Sequence, residues 1–174
     1  VVDEETIVVE GAVTSRPAIM SQIQLVEPGS YFWKGGAGLG WAGGAAVGVK
    51  LASPESRVIS LVGDGSYLFA NPSACALLAA EYDAPTLTIV YDNQGWNAVE
   101  GATTAQYPEG AAAEASVPES RIGTEMDLSA PAEVVDAHTR VVRDPGALPE
   151  ALEAAAAAVD DGTPAVLDVK VERP

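Results

Sequence analysis

The apolar positions of this chain fall into two alternating kinds of segment. Thr6 to Val9, Val58 to Val62, Thr86 to Tyr91, Thr139 to Val142 and Ala165 to Val171 are short, nearly continuous and rich in β-branched residues. Such runs are the mark of strands buried on both faces of a parallel sheet. Between them the apolar spacing changes to three and four. Ile19, Ile23 and Val26 share a face after a helix start at Pro17, a helix is predicted over Pro72 to Tyr82, and Leu148, Leu152, Ala155 and Val159 line one side of a helix over Pro145 to Val159. A short helix over Ala132 to Ala137 precedes the fourth strand. Asn71 before Pro72 reads as a cap and first helical position, and Asp144 and Gly162 read as cap and stop of the last helix. Strand and helix in alternation predict one α/β domain over residues 1–174, a doubly wound parallel sheet of five to six strands with helices on both faces.

The stretch from Gly35 to Gly48 is crowded with glycine and alanine and is predicted to become a helix ending near Leu51. Glycine inside a helix costs about 1 kcal/mol relative to alanine, so a close approach is required there. It is not a dinucleotide fingerprint, because that motif follows its strand directly, and here the strand from Val58 comes after the helix.

Composition narrows the class. With 174 residues, 48% hydrophobic, the chain suits one domain with a substantial core. A net charge of −16, with Lys34, Lys50 and Lys170 as the lysines, argues against nucleic acid or an anionic membrane as partner. There is no run suited to a membrane span, and the opening VVDEETIVVE is not leader-like, so a soluble, cytoplasmic protein is expected. A start at Val suggests a fragment or processed piece. The acidic, lysine-poor composition resembles proteins of high-salt cytoplasm, where salt screens self-repulsion. Cys75 is the single cysteine, which excludes an internal disulfide and multi-cysteine metal sites. Among Ala74, Ala76 and Leu77 it is expected to be a buried structural thiol.

The candidate chemistry lies in GDGSYLFANPSACALLAAEYDAPTLTIVYDNQGWN, from Gly63 to Asn97. This reads as a strand, a Gly-Asp-Gly turn, a helix and a second strand ending in Asp92-Asn93-Gln94-Gly95. A right-handed crossover places both strand ends on one edge of the sheet, where ligands of open α/β sheets bind, so Asp64 and Asn93 become neighbours. A carboxylate and an amide oxygen there suit magnesium, which takes one or two protein ligands and fills its shell with phosphate oxygens and water. Gly63 and Gly65 let the backbone approach phosphates, and Ser66 adds a hydroxyl and an N–H.

Gly-Asp-Gly-Ser, a spacer of this length and an Asn-containing turn after an apolar strand resemble the diphosphate-binding motif of thiamine diphosphate-dependent enzymes of the acetolactate synthase, benzoylformate decarboxylase and pyruvate decarboxylase branch. The Gly-rich block resembles the segment that holds the aminopyrimidine end of that cofactor. The resemblance extends from Glu10 to Val171 and implies the C-terminal diphosphate-binding domain of a 2-oxo acid decarboxylase or carboligase. It implies thiamine diphosphate and Mg2+ as cofactors, with Asp64, Asn93 and the Gly95 carbonyl as metal ligands. By the same resemblance Thr14 contacts the diphosphate, the Ala37 carbonyl accepts from the exocyclic amino group, Gly38 lies beside it, and Leu39 is wedged between the two rings. The family has Asn where this chain has Asp92, and the role of Asp92 is open between site contact and turn cap. The implied partners are a pyrimidine-binding domain of the same or a neighbouring chain, which carries the activating glutamate, a 2-oxo acid and further copies in a homo-oligomer. The isolated chain is therefore expected to be inactive.

Other readings stay open. Thr14 and Ser15 cap the helix after the first strand or hold a phosphate. Residues 101–130 have no apolar period and are expected to form a mobile loop, an active-site lid or a disordered segment. His138, far along the chain from the motif, is expected to be structural. Two further functions are possible for this pattern: a separate subunit of a two-chain 2-oxo acid decarboxylase or oxidoreductase, or a non-catalytic module of the same fold.

Overall fold

The structure, a computed structural model, describes residues 1–25, 27–36 and 38–173. Strands β1 (Thr6–Glu10), β2 (Tyr31–Trp33), β3 (Arg57–Gly63), β4 (Leu87–Asp92), β5 (His138–Val142) and β6 (Ala165–Lys170) form one sheet in the order β2-β1-β3-β4-β6-β5. All five pairings are parallel. Side chains alternate between faces with period two. Val8, Ile59, Leu61, Leu87 and Leu167 pack on one face beneath helices α1 (Arg16–Gln22) and α7 (Leu148–Asp160). Val9, Val58, Val62, Val90 and Val166 pack on the other, beneath α2 (Trp41–Ala52), α3 (Asp64–Phe69) and α4 (Pro72–Glu81). Complete burial of side chains such as Ile59, Leu87 and Leu167 contributes about 1.5–3 kcal/mol each. The doubly wound parallel architecture read from the sequence is the one found.

The differences have local causes. The sequence reading leaves Pro28 to Tyr31 as a linker, whereas β2 runs over Tyr31–Trp33 at the sheet edge, too short and too exposed to show an apolar run. The Gly-rich block does not turn helical until Trp41, because Gly40, at φ 81°, ends the preceding turn in the left-handed region. In place of a turn at Gly-Asp-Gly, Asp64 opens α3 directly from β3. In place of the short α-helix expected over Ala132 to Ala137 there is a 3-10 helix over Ala130–Val135. The unpatterned segment carries α5 (Asn97–Gln106), α6 (Ala111–Glu114) and a 3-10 turn at Pro118–Ser120. Neither α5 nor α6 buries a residue, which is why no helical period is visible there. The last helix starts later than read from the sequence: Asp144 caps a 3-10 turn over Pro145–Ala147, accepting from the Gly146 N–H at 2.9 Å, α7 begins at Leu148 with Ala147 at its N-cap, and Gly162 follows its end at φ 88°. Asn71 holds the cap position of α4 without a capping side-chain bond. Val26, assigned to the face of the first helix, lies outside the described residues.

Candidate functional site

In this sheet β1 leads to β2 on one side and pairs with β3 on the other, so the direction of winding reverses between β1 and β3. That reversal opens a crevice at the carboxyl ends of the strands. An open cleft occupies it, walled by the loop Gly11 to Ser15 after β1, the β3–α3 junction, Tyr91 and Asn93 at the end of β4, and Leu39.

Asp64 is buried at the junction. Its Oδ1 accepts from the Gly65 N–H at 2.7 Å, and its Oδ2 accepts from the Gly95 N–H at 2.9 Å. Burial, opposed by these two amides and assisted by the nearby charge of Asp92, pushes its carboxyl up to about 6. Asn93 stands across from it on the cleft wall, and its Oδ1 is buried with no hydrogen-bond partner. A buried acceptor left unmade costs about 1–3 kcal/mol, so the site is complete only when something supplies a donor or a cation. No group of three or more His, Cys, Asp or Glu residues placed for a metal occurs among the described residues. One carboxylate with neutral oxygens is a donor set for a hard cation that completes its shell from a bound ligand and water.

The other predicted residues are distributed around this pair. Gly63 and Gly65 line the cleft, Thr14 is exposed on its wall, and Ser15 occupies the N-cap of α1 without a capping side-chain bond. Ser66 is buried, and its Oγ accepts from the Gly40 N–H at 3.1 Å, which ties the Gly-rich turn to α3. Leu39 is 41% exposed although apolar, and it faces the cleft. Gly38 is exposed beside it, outside the cleft wall. Ala37 lies outside the described residues. His138 begins β5 at the opposite edge of the sheet. Cys75 is half-buried on α4, and burial raises its thiol.

Several residues that shape the site carried no sequence signal. Trp96 covers Gly65 so closely that a Cβ there would lie 2.4 Å from two of its ring carbons, and the edge of Phe69 meets its ring at 5.7 Å. Glu10, at the end of β1, is fully buried behind the Gly11 to Ser15 loop; its Oε2 accepts from the Tyr31 hydroxyl at 2.7 Å and meets Arg16 Nε at 3.2 Å. Burial holds its carboxyl above the usual range. Arg16 in turn stacks 3.7 Å over Trp33, so residues at both ends of the loop are fastened together. Asp92 resolves as a buried turn cap: it accepts from the Gln94 N–H at 2.8 Å and is paired with Lys170. Asp92 stands out in the sequence but its partner does not: Lys170 lies 78 positions away and becomes its register partner only once β4 and β6 pair.

A second cavity, between α2, α4 and the sheet, is lined mainly by alanine and other apolar groups. Tyr67 and Cys75 there are both raised by burial and stay neutral near pH 7.

Residues 13–169 match the family model described as thiamine pyrophosphate enzyme, C-terminal TPP binding domain. Benzoylformate decarboxylase of Pseudomonas aeruginosa is 38% identical over 96 residues, 55% of this chain and 18% of the relative. The probable acetolactate synthase large subunit of Methanocaldococcus jannaschii is 37% identical over 68 residues, 38% of this chain and 11% of the relative. Among solved structures, the thiamine diphosphate-dependent 4-hydroxybenzoylformate decarboxylase of Rhodococcus jostii RHA1 superposes with a TM-score of 0.80 at 26% identity, over 99% of this chain and 30% of that one. The similarity thus spans under a third of the length of each of these proteins.

Proposed function

The chain belongs to the thiamine pyrophosphate enzymes through their C-terminal TPP binding domain, and from that premise we propose that it anchors the magnesium-diphosphate end of thiamine diphosphate in a 2-oxo acid decarboxylase or carboligase of the acetolactate synthase and benzoylformate decarboxylase type. The observation that carries this reading is the unpartnered, buried Asn93 Oδ1 on the same cleft as the buried carboxylate of Asp64. The residues present fit the group. Asp64, the Asn93 amide oxygen and the Gly95 carbonyl would hold Mg2+, and Thr14, Gly63, Gly65 and Ser66 would meet the diphosphate. Leu39, an exposed leucine on the cleft wall, would support the bend of the cofactor, with Gly38 beside it.

When bound, thiamine diphosphate supplies the electron sink that makes loss of carbon dioxide from a 2-oxo acid feasible. This chain's part is to fix position and charge. Ionised Asp64 draws the cation, and its two backbone donors keep the carboxylate in one orientation. Trp96 shields the Gly65 side of the junction from water.

The activating glutamate is assigned to a pyrimidine-binding domain from the same or a neighbouring chain in a homo-oligomer. Glu10 is buried behind the loop, and Glu100 is engaged by Ser120 and Arg173, so neither is free to act in the cleft. The isolated chain is accordingly expected to bind cofactor weakly and to turn over no pyruvate.

Calorimetric titration of thiamine diphosphate at high salt, with and without Mg2+, beside Asp64→Ala, tests the reading. Metal-dependent binding that is lost in the variant is expected. Binding indifferent to both metal and variant would overturn it.

A further inference from the structure

Lys170 is a nearly buried cation in a chain that has three lysines, and it ends β6 directly opposite Asp92 on β4. Its ammonium donates to Asp92 Oδ2, to Asp168 Oδ2 at 2.8 Å and to the Met126 carbonyl at 2.8 Å. All three of its protons are engaged. The second oxygen of Asp92 accepts from the Gln94 N–H at 2.8 Å, so the carboxylate stands between the lysine and the turn that follows β4.

That turn is not one the backbone would choose unaided. Gln94 has φ 59°, in the left-handed region that a side chain disfavours. It is kept there from outside, by the Asp92 bond, by the Ile122 N–H donating to its carbonyl at 2.9 Å, and by the Trp96 N–H donating to the Ser120 carbonyl at 2.7 Å. In this shape the next residue, Gly95, presents its N–H to Asp64. Asp92 also brings a second buried negative charge close to Asp64, a placement that requires a counterion.

From this series of contacts we propose that Lys170 is a positioning residue for the anchoring turn. It offsets the charge of Asp92, dividing its own between Asp92 and Asp168, so that carboxylates can be buried together at one strand edge, and it fixes Asp92 so that residues 93–95 keep Asn93 and Gly95 against Asp64. What the turn then binds rests on the function proposed above; the shape of the turn does not. The competing account is a purely structural one, in which Lys170 serves Asp168, whose Oδ2 also accepts from the Leu128 N–H at 2.9 Å, and so ties residues 126–128 to β6.

Amide hydrogen exchange on the full chain without cofactor separates the two, using Lys170→Met, Asp92→Asn and the double variant. In Lys170→Met the Gln94 and Gly95 amides should exchange roughly tenfold faster or more while the Val90 and Leu167 amides in the core strands keep their protection. In the double variant a neutral amide at position 92 still accepts from the Gln94 N–H and needs no counterion. The two turn amides should therefore return to within about threefold of the parent, while the Leu128 amide stays fast. Unchanged turn amides in Lys170→Met, or a double variant as fast as Lys170→Met, would overturn the proposal. Should Lys170→Met fail to fold, a folded double variant with a protected turn supports the proposal, and failure of both to fold assigns Lys170 to Asp168 instead. Because the measurement needs no ligand, its failure leaves the cofactor reading standing, and a failed titration with thiamine diphosphate leaves this one standing.

Discussion

Replacing Gly65 by alanine sets two effects of opposite sign against each other. Gly65 is the second residue of α3, and helix propensity alone favours alanine there by about 1 kcal/mol. A Cβ at this position would sit 2.4 Å from Cε3 and Cζ3 of Trp96 and 3.0 Å from Cδ2. Carbon atoms need about 3.5 Å, so the indole must retreat by roughly 1 Å. It is not free to do so. Phe69 abuts its ring, its N–H donates to the Ser120 carbonyl at 2.7 Å, and its carbonyl accepts from Val99 and Glu100 at the start of α5. Overpacking of this kind costs about 1–3 kcal/mol; set against the propensity gain it leaves a net loss of about 1 kcal/mol, which lowers the melting midpoint by roughly 2–4 °C. Urea and thermal unfolding followed by circular dichroism, on Gly65→Ala, Trp96→Ala and the double variant, measure both signs. With the indole gone, Gly65→Ala should become neutral or stabilising by up to about 1 kcal/mol. An equal penalty in both backgrounds would refute the reasoning, since Trp96 would then not be what requires glycine at 65.

Asp64→Asn should gain stability on the parent as pH rises. A carboxyl lifted from 3.8 to about 6 contributes nothing adverse below 3.8, and stability is lost as pH rises through about 6, by about 3 kcal/mol in all. Urea midpoints in chelator at pH 4 and pH 7.5 should therefore diverge in favour of the variant, and parallel curves would contradict this. Gly40→Ala, with φ 81° and a Cβ 2.8 Å from backbone atoms of Phe69 and Ala70, should lose at least about 2 kcal/mol. Gly44→Ala, which meets open space in the middle of α2, should gain about 0.5–1 kcal/mol by thermal unfolding. Leu39→Ala should leave unfolding within about 0.5 kcal/mol of the parent, because the side chain is partly exposed, yet weaken calorimetric binding of thiamine diphosphate.

What could be read from the sequence was what repeats or lies close along the chain. Continuous runs such as Val58 to Val62 and Thr86 to Tyr91 announce central parallel strands because burial on both faces leaves no polar positions. Asp64 and Asn93 were legible because one crossover brings successive strand ends together. Edge strand β2 and helix α5 were not, since neither is held by an apolar face. Trp96 over Gly65 and Lys170 beside Asp92 depend on distant segments meeting, and no local period encodes that. Asp92 itself looked like a departure from the family pattern; its reason lies on another strand, in Lys170.

The same geometry explains why the site tolerates its own instability. Asp64 is buried where its charge is disfavoured, Asn93 Oδ1 has no donor, and Asp92 adds a like charge nearby. Each of these is a cost, and under the function proposed above a cation held by Asp64 and Asn93 would offset them with one positive charge. Optimising stability alone would mean an amide at 64 and a donor for Asn93, and both changes would remove the groups that the proposed cation needs. The lysine at 170 is the compromise between those demands: it offsets the charge of Asp92, which shapes the turn, and leaves Asp64 with backbone amides and, among the described residues, no paired cation at the cleft wall.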